Sequence, residues 1–126
     1  MHRLLVILIV FGVLTVEASE DGAFIGTWTP YSKGYWEFGD LNVSSDKLSW
    51  GKCKEVPYSI FKRDGDGDYL ELSPSRPCSL RRPASFLIMK LKSATELEVT
   101  ICHERTELDK EPGQRMCSWG VLNRTQ

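Results

Sequence analysis

Two histidines occur in this chain, His2 and His103, and only His103 stands where an active site could form. His103 follows Cys102 directly. Because it is the one histidine beyond the N-terminus, any Ser-His-Asp or Cys-His catalytic arrangement would have to use its imidazole. A cysteine held in a disulfide offers no thiolate, and no activating residue pattern surrounds His103. Carboxylate pairs such as Glu96 and Glu98 alternate along a predicted strand and face solvent. We therefore expect a protein that is not an enzyme.

The strongest candidate binding residues lie in the loop from Ser73 to Ser85. This loop contains three prolines, Cys78 and the arginines Arg76, Arg81 and Arg82. Prolines and a disulfide reduce the entropy that a loop loses when a partner clamps it. Guanidinium groups bind carboxylates through paired hydrogen bonds. The loop therefore predicts docking onto an acidic protein cleft, and the alternative is a solvated connection with rigid turns.

A second candidate binding surface is the aromatic group Tyr31, Tyr35 and Trp36. Tyrosine and tryptophan are preferred anchors at protein interfaces. The alternative for Trp36 is a place in the hydrophobic core.

The run from Asp64 to Asp68 alternates aspartate with glycine and invites a calcium interpretation. The calcium-loop pattern needs glycine at its sixth position, where Tyr69 stands, and a bidentate glutamate at its twelfth, where Ser75 stands. Asp-Gly repeats are also ordinary hairpin turns. We expect a turn here, with neither a bound metal nor a cofactor.

The N-terminus has the organisation of a secretory signal peptide. His2 and Arg3 precede an apolar run from Leu4 to Val16, which Glu17 and Ala18 follow, and cleavage after Ala18 is predicted. An uncleaved membrane anchor is the alternative, but it needs roughly twenty apolar residues. We expect residues 1–18 to be removed and residues 19–126 to form one secreted or periplasmic domain, with no membrane insertion after cleavage.

All four cysteines, Cys53, Cys78, Cys102 and Cys117, follow this leader. In an oxidising compartment disulfides are their default state. Four cysteines allow three connectivities, and we favour Cys53 with Cys78 and Cys102 with Cys117 because each pair flanks a local hairpin. Zinc is the alternative, although zinc sites favour closely spaced pairs and these cysteines are isolated in sequence.

Charge and sequence patterning narrow the possible partners. The net charge is -1, so nothing steers the chain toward nucleic acid. Two glycosylation triplets begin at Asn42 and Asn123, and they would be used only in a eukaryotic secretory pathway.

The elements that position these residues are short strands, because apolar and polar residues alternate between turn signals. We predict a first strand that begins at Phe24 and is ended by Thr29-Pro30, a second from Tyr35 to Ser44 with a bulge at Gly39-Asp40, and a last from Met116 to Asn123. Leu97, Val99 and Ile101 alternate strictly. The expected fold is all-β, a small up-and-down antiparallel meander barrel of seven or eight strands stapled by two disulfides, with a small sandwich as the alternative.

Gly26-Thr27-Trp28 resembles the Gly-x-Trp opening of lipocalins and the wider calycin group of β-barrels. In those barrels the tryptophan packs across one end, and a basic residue from the last strand lies over it. The resemblance assigns these structural roles to Gly26, Trp28 and Arg124. It covers the two ends of the chain, and the Thr-Asp-Tyr turn of true lipocalins has no counterpart here.

A barrel of short strands is just wide enough to be filled by its own side chains. We expect a packed interior to which the large aromatic residues contribute: Phe24, Trp28, Phe38, Trp50, Tyr58, Phe61, Phe86 and Trp119. The expected function is a non-enzymatic domain that binds another secreted or envelope protein, with an inhibitor or immunity-type factor as one form. The alternative is a lipocalin-like carrier of a small apolar ligand.

Overall fold

The structure, a computed structural model, describes residues 22–73, 78–80 and 82–125. The predicted signal peptide lies outside these residues. Ten strands are present in the described part of the chain: β1 Gly26–Pro30, β2 Leu41–Val43, β3 Lys47–Trp50, β4 Cys53–Asp64, β5 Gly67–Leu72, β6 Ser79–Leu80, β7 Arg82–Pro83, β8 Phe86–Ser93, β9 Glu96–Cys102 and β10 Ser118–Arg124. Three 3₁₀ helices accompany them: η1 Lys33–Phe38, η2 Arg105–Asp109 and η3 Pro112–Gln114.

Eight of these strands form a closed antiparallel barrel in the order β1-β10-β9-β8-β5-β4-β3-β2. Apart from the β1–β10 closure, each strand pairs with the barrel strand next to it in the chain. Strands β6 and β7 pair separately, within the connection between β5 and β8. The prediction of an all-β meander barrel is confirmed. No helix in the described segments is long and apolar enough to cross a membrane.

The barrel interior is filled by side chains. Alternate residues of each strand point inward, as Leu97, Val99 and Ile101 do on β9, where all three are buried. They belong to one continuous cluster with the buried side chains Phe24, Trp28, Tyr35, Phe38, Leu41, Val43, Leu48, Trp50, Cys53, Val56, Leu70, Leu72, Leu80, Ala84, Leu87, Met89 and Leu122.

One end of the barrel, here called the Trp28 end, is closed by a stacked pair of residues. Trp28 is fully buried, and its indole Nε1 donates to the carbonyl of Phe24. The guanidinium carbon of Arg124 lies 4.2 Å from the centre of the Trp28 ring. Gly26 has a φ of 136°, and a Cβ there would lie 3.0 Å from the Nη1 of Arg124. The predicted burial of Trp28 beneath Arg124 is confirmed.

The predicted strand from Tyr35 to Ser44 is wrong in its first half. Residues Lys33–Phe38 form η1, and only Leu41–Val43 are extended. Tyr35 and Phe38 are three residues apart, so one turn of 3₁₀ helix puts both rings on the same side, against the core. The first strand also begins at Gly26 rather than Phe24, and the last at Ser118 rather than Met116.

A second apolar cluster lies on the outer face of the barrel, which corrects the expectation that Phe61, Phe86 and Trp119 point inward. Phe86 is buried beneath Leu108 of η2 in this outer cluster, and Phe61 packs at its edge. Trp119 belongs to neither cluster and is 66% exposed.

Both predicted disulfides are present, Cys53–Cys78 and Cys102–Cys117. Two disulfides are typical of an oxidising, extracellular-type environment. The first ties the loop before β8 to the start of β4. The second closes the segment that carries η2 and η3 against the strands that flank it.

Candidate functional site

The two predicted binding surfaces lie at the same end of the barrel, opposite the Trp28 end. Antiparallel pairing places the end of β1, the end of β9 and the starts of β8 and β10 together at this end. The aromatic segment follows β1 and the arginine loop precedes β8. We call this region, with its exposed residues Tyr31, Trp36, Arg82 and Met116, the loop end.

Tyr31 and Trp36 are exposed and held in place by hydrogen bonds. Their side chains are 70% and 58% exposed. The indole Nε1 of Trp36 donates to the carbonyl of Tyr31 at 3.2 Å, and the amides of Tyr31 and Ser32 both donate to the carbonyl of Val121. Lys33 adds a cation above the Trp36 ring, 5.9 Å from its centre. The binding role of Tyr31 and Trp36 stays a prediction.

Tyr35 is not part of this surface, so its interpretation as a binding residue is wrong. It is 2% exposed, and its hydroxyl donates to the carbonyl of Val99 at 3.0 Å inside the barrel. A Cβ at Gly120 would lie 2.8 Å from the Tyr35 ring, which explains why this position on β10 is glycine. Tyr35 closes the loop end of the core, as Trp28 closes the other end.

Within the arginine loop, Arg82 is exposed on β7. Arg76 and Arg81 lie outside the described residues. Around Arg82 the loop is anchored, because Leu80 and Ala84 are buried in the core and the amide of Ala84 donates to the carbonyl of Cys78. The loop is therefore a structural closure of the barrel that also presents a cation.

The neighbouring segment from Glu104 to Cys117 is rigidly attached to the barrel. The Arg115 side chain is only 9% exposed, and its guanidinium donates to the carbonyls of Lys110 and Leu108 and to the Tyr69 hydroxyl. Burial raises the pKa of Tyr69, although the bond from Arg115 opposes this change. This anchoring leaves Met116 projecting, with 77% of its surface exposed.

The carboxylate of Glu107 holds the backbone of Met116 in place. The Met116 amide donates to Glu107 at 2.7 Å, and Lys110 donates to the same carboxylate at 2.9 Å. The hydrogen bond from the Met116 amide, followed by that from Lys110, holds the pKa of Glu107 below its usual value.

Between the arginine loop and this segment runs a groove of about 590 Å³, lined by Arg82, His103, Glu104 and Met116 among others. The Nδ1 of His103 contacts the carbonyl of Pro83. Because Cys102 is in a disulfide, it offers no thiolate to this imidazole. The groove therefore combines cationic, acidic and apolar groups that could contact a partner.

The aspartate run forms the β4–β5 turn, as predicted, with each carboxylate engaged by a different cation. Asp64 lies 3.7 Å from Lys62, Asp66 lies 3.9 Å from Arg115, and Asp68 lies 3.4 Å from Arg63. Burial tends to raise the pKa of Asp64, but hydrogen bonds from the Asp66 amide and the Tyr69 hydroxyl outweigh it and leave the pKa lowered. In the described part of the chain no three His, Cys, Asp or Glu side chains are placed to hold a metal ion.

Sequence reasoning missed Trp119 and Met116 as exposed residues. For Trp119 a signal was available, because Leu122 is inward and a strict alternation places Trp119 outward. Met116 carried no such signal, because its exposure depends on the path of a loop.

No protein-family model, curated protein or solved structure matches this chain. Its function has to be inferred from the residues of the loop end and their surroundings.

Proposed function

We propose that this chain is a secreted or periplasmic, non-enzymatic domain that binds another protein through its loop end. The observation that carries the proposal is the gathering of Tyr31, Trp36, Arg82 and Met116 at one end of the barrel, all exposed. Large exposed side chains grouped on a small domain mark interaction sites.

The residue types support a protein partner. Tyrosine, tryptophan, methionine and arginine are enriched at the centres of protein interfaces, where a few anchors supply most of the binding energy. The loop end is also preorganised, since hydrogen bonds fix Tyr31 and Trp36 and the two disulfides hold the loops around Arg82 and Met116. A preorganised surface loses less entropy on binding.

The partner is expected to present carboxylates. Arg82 is exposed, and Arg76 and Arg81 belong to the same loop. Arginine binds carboxylates with defined geometry, so the complementary surface is an acidic cleft or patch. An inhibitor or immunity-type factor that inserts this loop into such a cleft is the form of function that we favour.

The filled interior supports protein binding over carriage of a small apolar ligand inside the barrel. Trp50 and Tyr35 are each at most 2% exposed and belong to the continuous core cluster that fills the barrel, where a carrier would need an open cavity.

The test is affinity capture from the secreted fraction of the native source, followed by titration of the captured protein. Three versions of residues 19–126 serve as bait: wild type, the triple variant Arg76→Ala, Arg81→Ala, Arg82→Ala, and a control carrying Lys47→Ala and Lys92→Ala, both exposed near the Trp28 end.

We expect the triple variant to bind the captured protein at least tenfold more weakly while its melting temperature stays nearly constant. Arg82 is exposed, we predict the same for the other two arginines, and exposed substitutions usually change stability by less than about 0.5 kcal/mol. The control should bind like wild type. Equal binding by all three proteins would show that the arginines lie outside the interface. If the partner then also binds the double variant Tyr31→Ala, Trp36→Ala as tightly as wild type, the proposal is contradicted.

A further inference from the structure

The outer face of the barrel has a second groove, distinct from the loop-end surface and centred on strands β8, β9 and β10. Its volume is about 440 Å³, within the range of small-ligand sites. The floor is built from outward-facing strand residues and one wall is η3, at Pro112 and Gly113. Trp119 forms its aromatic side.

The strand register places the floor residues in two parallel rows. Trp119 pairs with Thr100, which pairs in turn with Ile88. In the next row Glu98 pairs with Lys90. Directly opposed residues on one face of a sheet have Cβ atoms about 4.5–5.5 Å apart. A hydroxyl, a carboxylate and an ammonium group therefore lie near the exposed indole of Trp119.

The charged side chains that line the groove have no net formal charge. Its two cations and two carboxylates form opposed pairs: Lys90 faces Glu98 across the strands, and Asp66 Oδ2 lies 3.9 Å from Arg115 Nη2. A ligand with a net charge gains little from such a site. The site favours a neutral ligand whose groups can accept hydrogen bonds from lysine and donate them to glutamate.

The groove is also rigid. The η3 wall is tied to the barrel by the Cys102–Cys117 disulfide and by the buried Arg115 side chain, which is hydrogen-bonded to the backbone of the segment before it. Trp119 is 66% exposed although it lies in the middle of a hydrogen-bonded strand. Its ring is thus presented without a large conformational cost on binding.

From these features we infer that this groove binds a neutral saccharide. The hydroxyl groups of a sugar both donate and accept hydrogen bonds, which matches the combination of Glu98, Thr100 and Lys90. The apolar C–H face of a pyranose ring packs on the electron-rich face of an aromatic side chain, here Trp119. The groove would hold a short oligosaccharide, with Trp119 as its stacking platform.

The experiment uses the domain of residues 19–126 and three neutral trisaccharides as probes: cellotriose, N,N′,N″-triacetylchitotriose and maltotriose. Saturation-transfer NMR detects binding and identifies the sugar protons in contact, and tryptophan fluorescence gives the dissociation constant. We expect saturable binding of at least one trisaccharide, with the strongest transfer to the ring C–H protons.

Matched variants then assign the site. Trp119→Ala should weaken binding at least tenfold, Trp119→Phe should retain most of it, and Glu98→Gln should weaken it several-fold. Trp36→Ala is the control, because Trp36 is similarly exposed but does not line this groove, and it should bind the sugar like wild type. Thermal unfolding checks that each variant is folded.

Absence of binding for all three sugars at about 10 mM would overturn the inference, since so weak an affinity leaves no specific site. Undiminished binding by Trp119→Ala would overturn it as well. If instead the protein captured at the loop end protects Trp119 and no sugar binds, the groove belongs to a protein interface. These outcomes are independent of the arginine variants, so the saccharide site and the protein-binding proposal can fail separately.

Discussion

Replacing Arg124 with alanine should destabilise the fold although this residue is the last of strand β10. Its Nε donates to the carbonyl of Ala94 at 3.0 Å, its Nη1 to that of Ile25 at 3.1 Å and its Nη2 to that of Ala23 at 2.9 Å. The same guanidinium covers the Trp28 ring. One side chain therefore joins the chain before β1 to the β8–β9 turn.

The loss of folding stability expected for Arg124→Ala follows from these contacts. Stacking on the indole contributes about 0.5–2 kcal/mol. Hydrogen bonds from a charged donor contribute about 1.5–3 kcal/mol each when buried, but only the bond to Ala23 is partly buried, so water replaces most of the other two. We expect Arg124→Ala to cost about 2 kcal/mol and Arg124→Lys to recover less than half of it, because an ammonium group cannot reach three divergent carbonyls. Trp28→Ala should cost about 3–5 kcal/mol.

Urea denaturation with the disulfides intact, followed by tryptophan fluorescence, measures this loss. Arg105→Ala is the control: Arg105 also stacks on an aromatic ring, that of Phe61, at 4.3 Å, but its side chain is 58% exposed and its ion pair with Glu71 is long. Its removal should cost less than about 1 kcal/mol. The reasoning is refuted if Arg124→Ala remains within about 0.5 kcal/mol of wild type, or if the two arginine variants lose equal stability.

Gly67→Ala should destabilise by about 1–3 kcal/mol, since φ is 125° there and a Cβ would collide with a backbone carbonyl of the adjacent strand, whereas Gly65→Ala, with open space around it, should be nearly neutral in the same urea assay. Gly120→Ala should cost about 1–3 kcal/mol by displacing the Tyr35 ring, visible as altered near-ultraviolet circular dichroism. The lowered pKa of Glu107 means that its stabilising bonds are complete above its ordinary pKa of 4.5 and are lost as pH falls through the lower folded value. Glu107→Gln should therefore reduce the dependence of the melting temperature on pH below about 5.

Features governed by local alternation or short chain separation were predictable from the sequence. The period of two at Leu97, Val99 and Ile101 gave β9, and the hairpin spacing gave both disulfides. Trp28 and Arg124 lie far apart in the chain, and it was the resemblance to calycin barrels that paired them.

The misassigned residues depend on tertiary packing. Alternation around Tyr35 and Phe38 suits a strand, but closing the barrel end requires both rings on one side, which favours η1. Phe61 and Phe86 have the composition of core residues, yet the barrel has an outer apolar face because Leu108 of η2 covers it. Coverage of this kind depends on the path of a loop, which periodicity does not encode.

The central claim, protein binding through the loop end, is tested most directly by hydrogen exchange of the domain with and without its captured partner. We predict that partner binding slows exchange in residues 31–38, 78–85 and 103–118, while the turns at the Trp28 end, residues 44–47, 64–67 and 93–96, exchange at unchanged rates. Protection confined to the turns of the Trp28 end, with none at the loop end, would contradict the account.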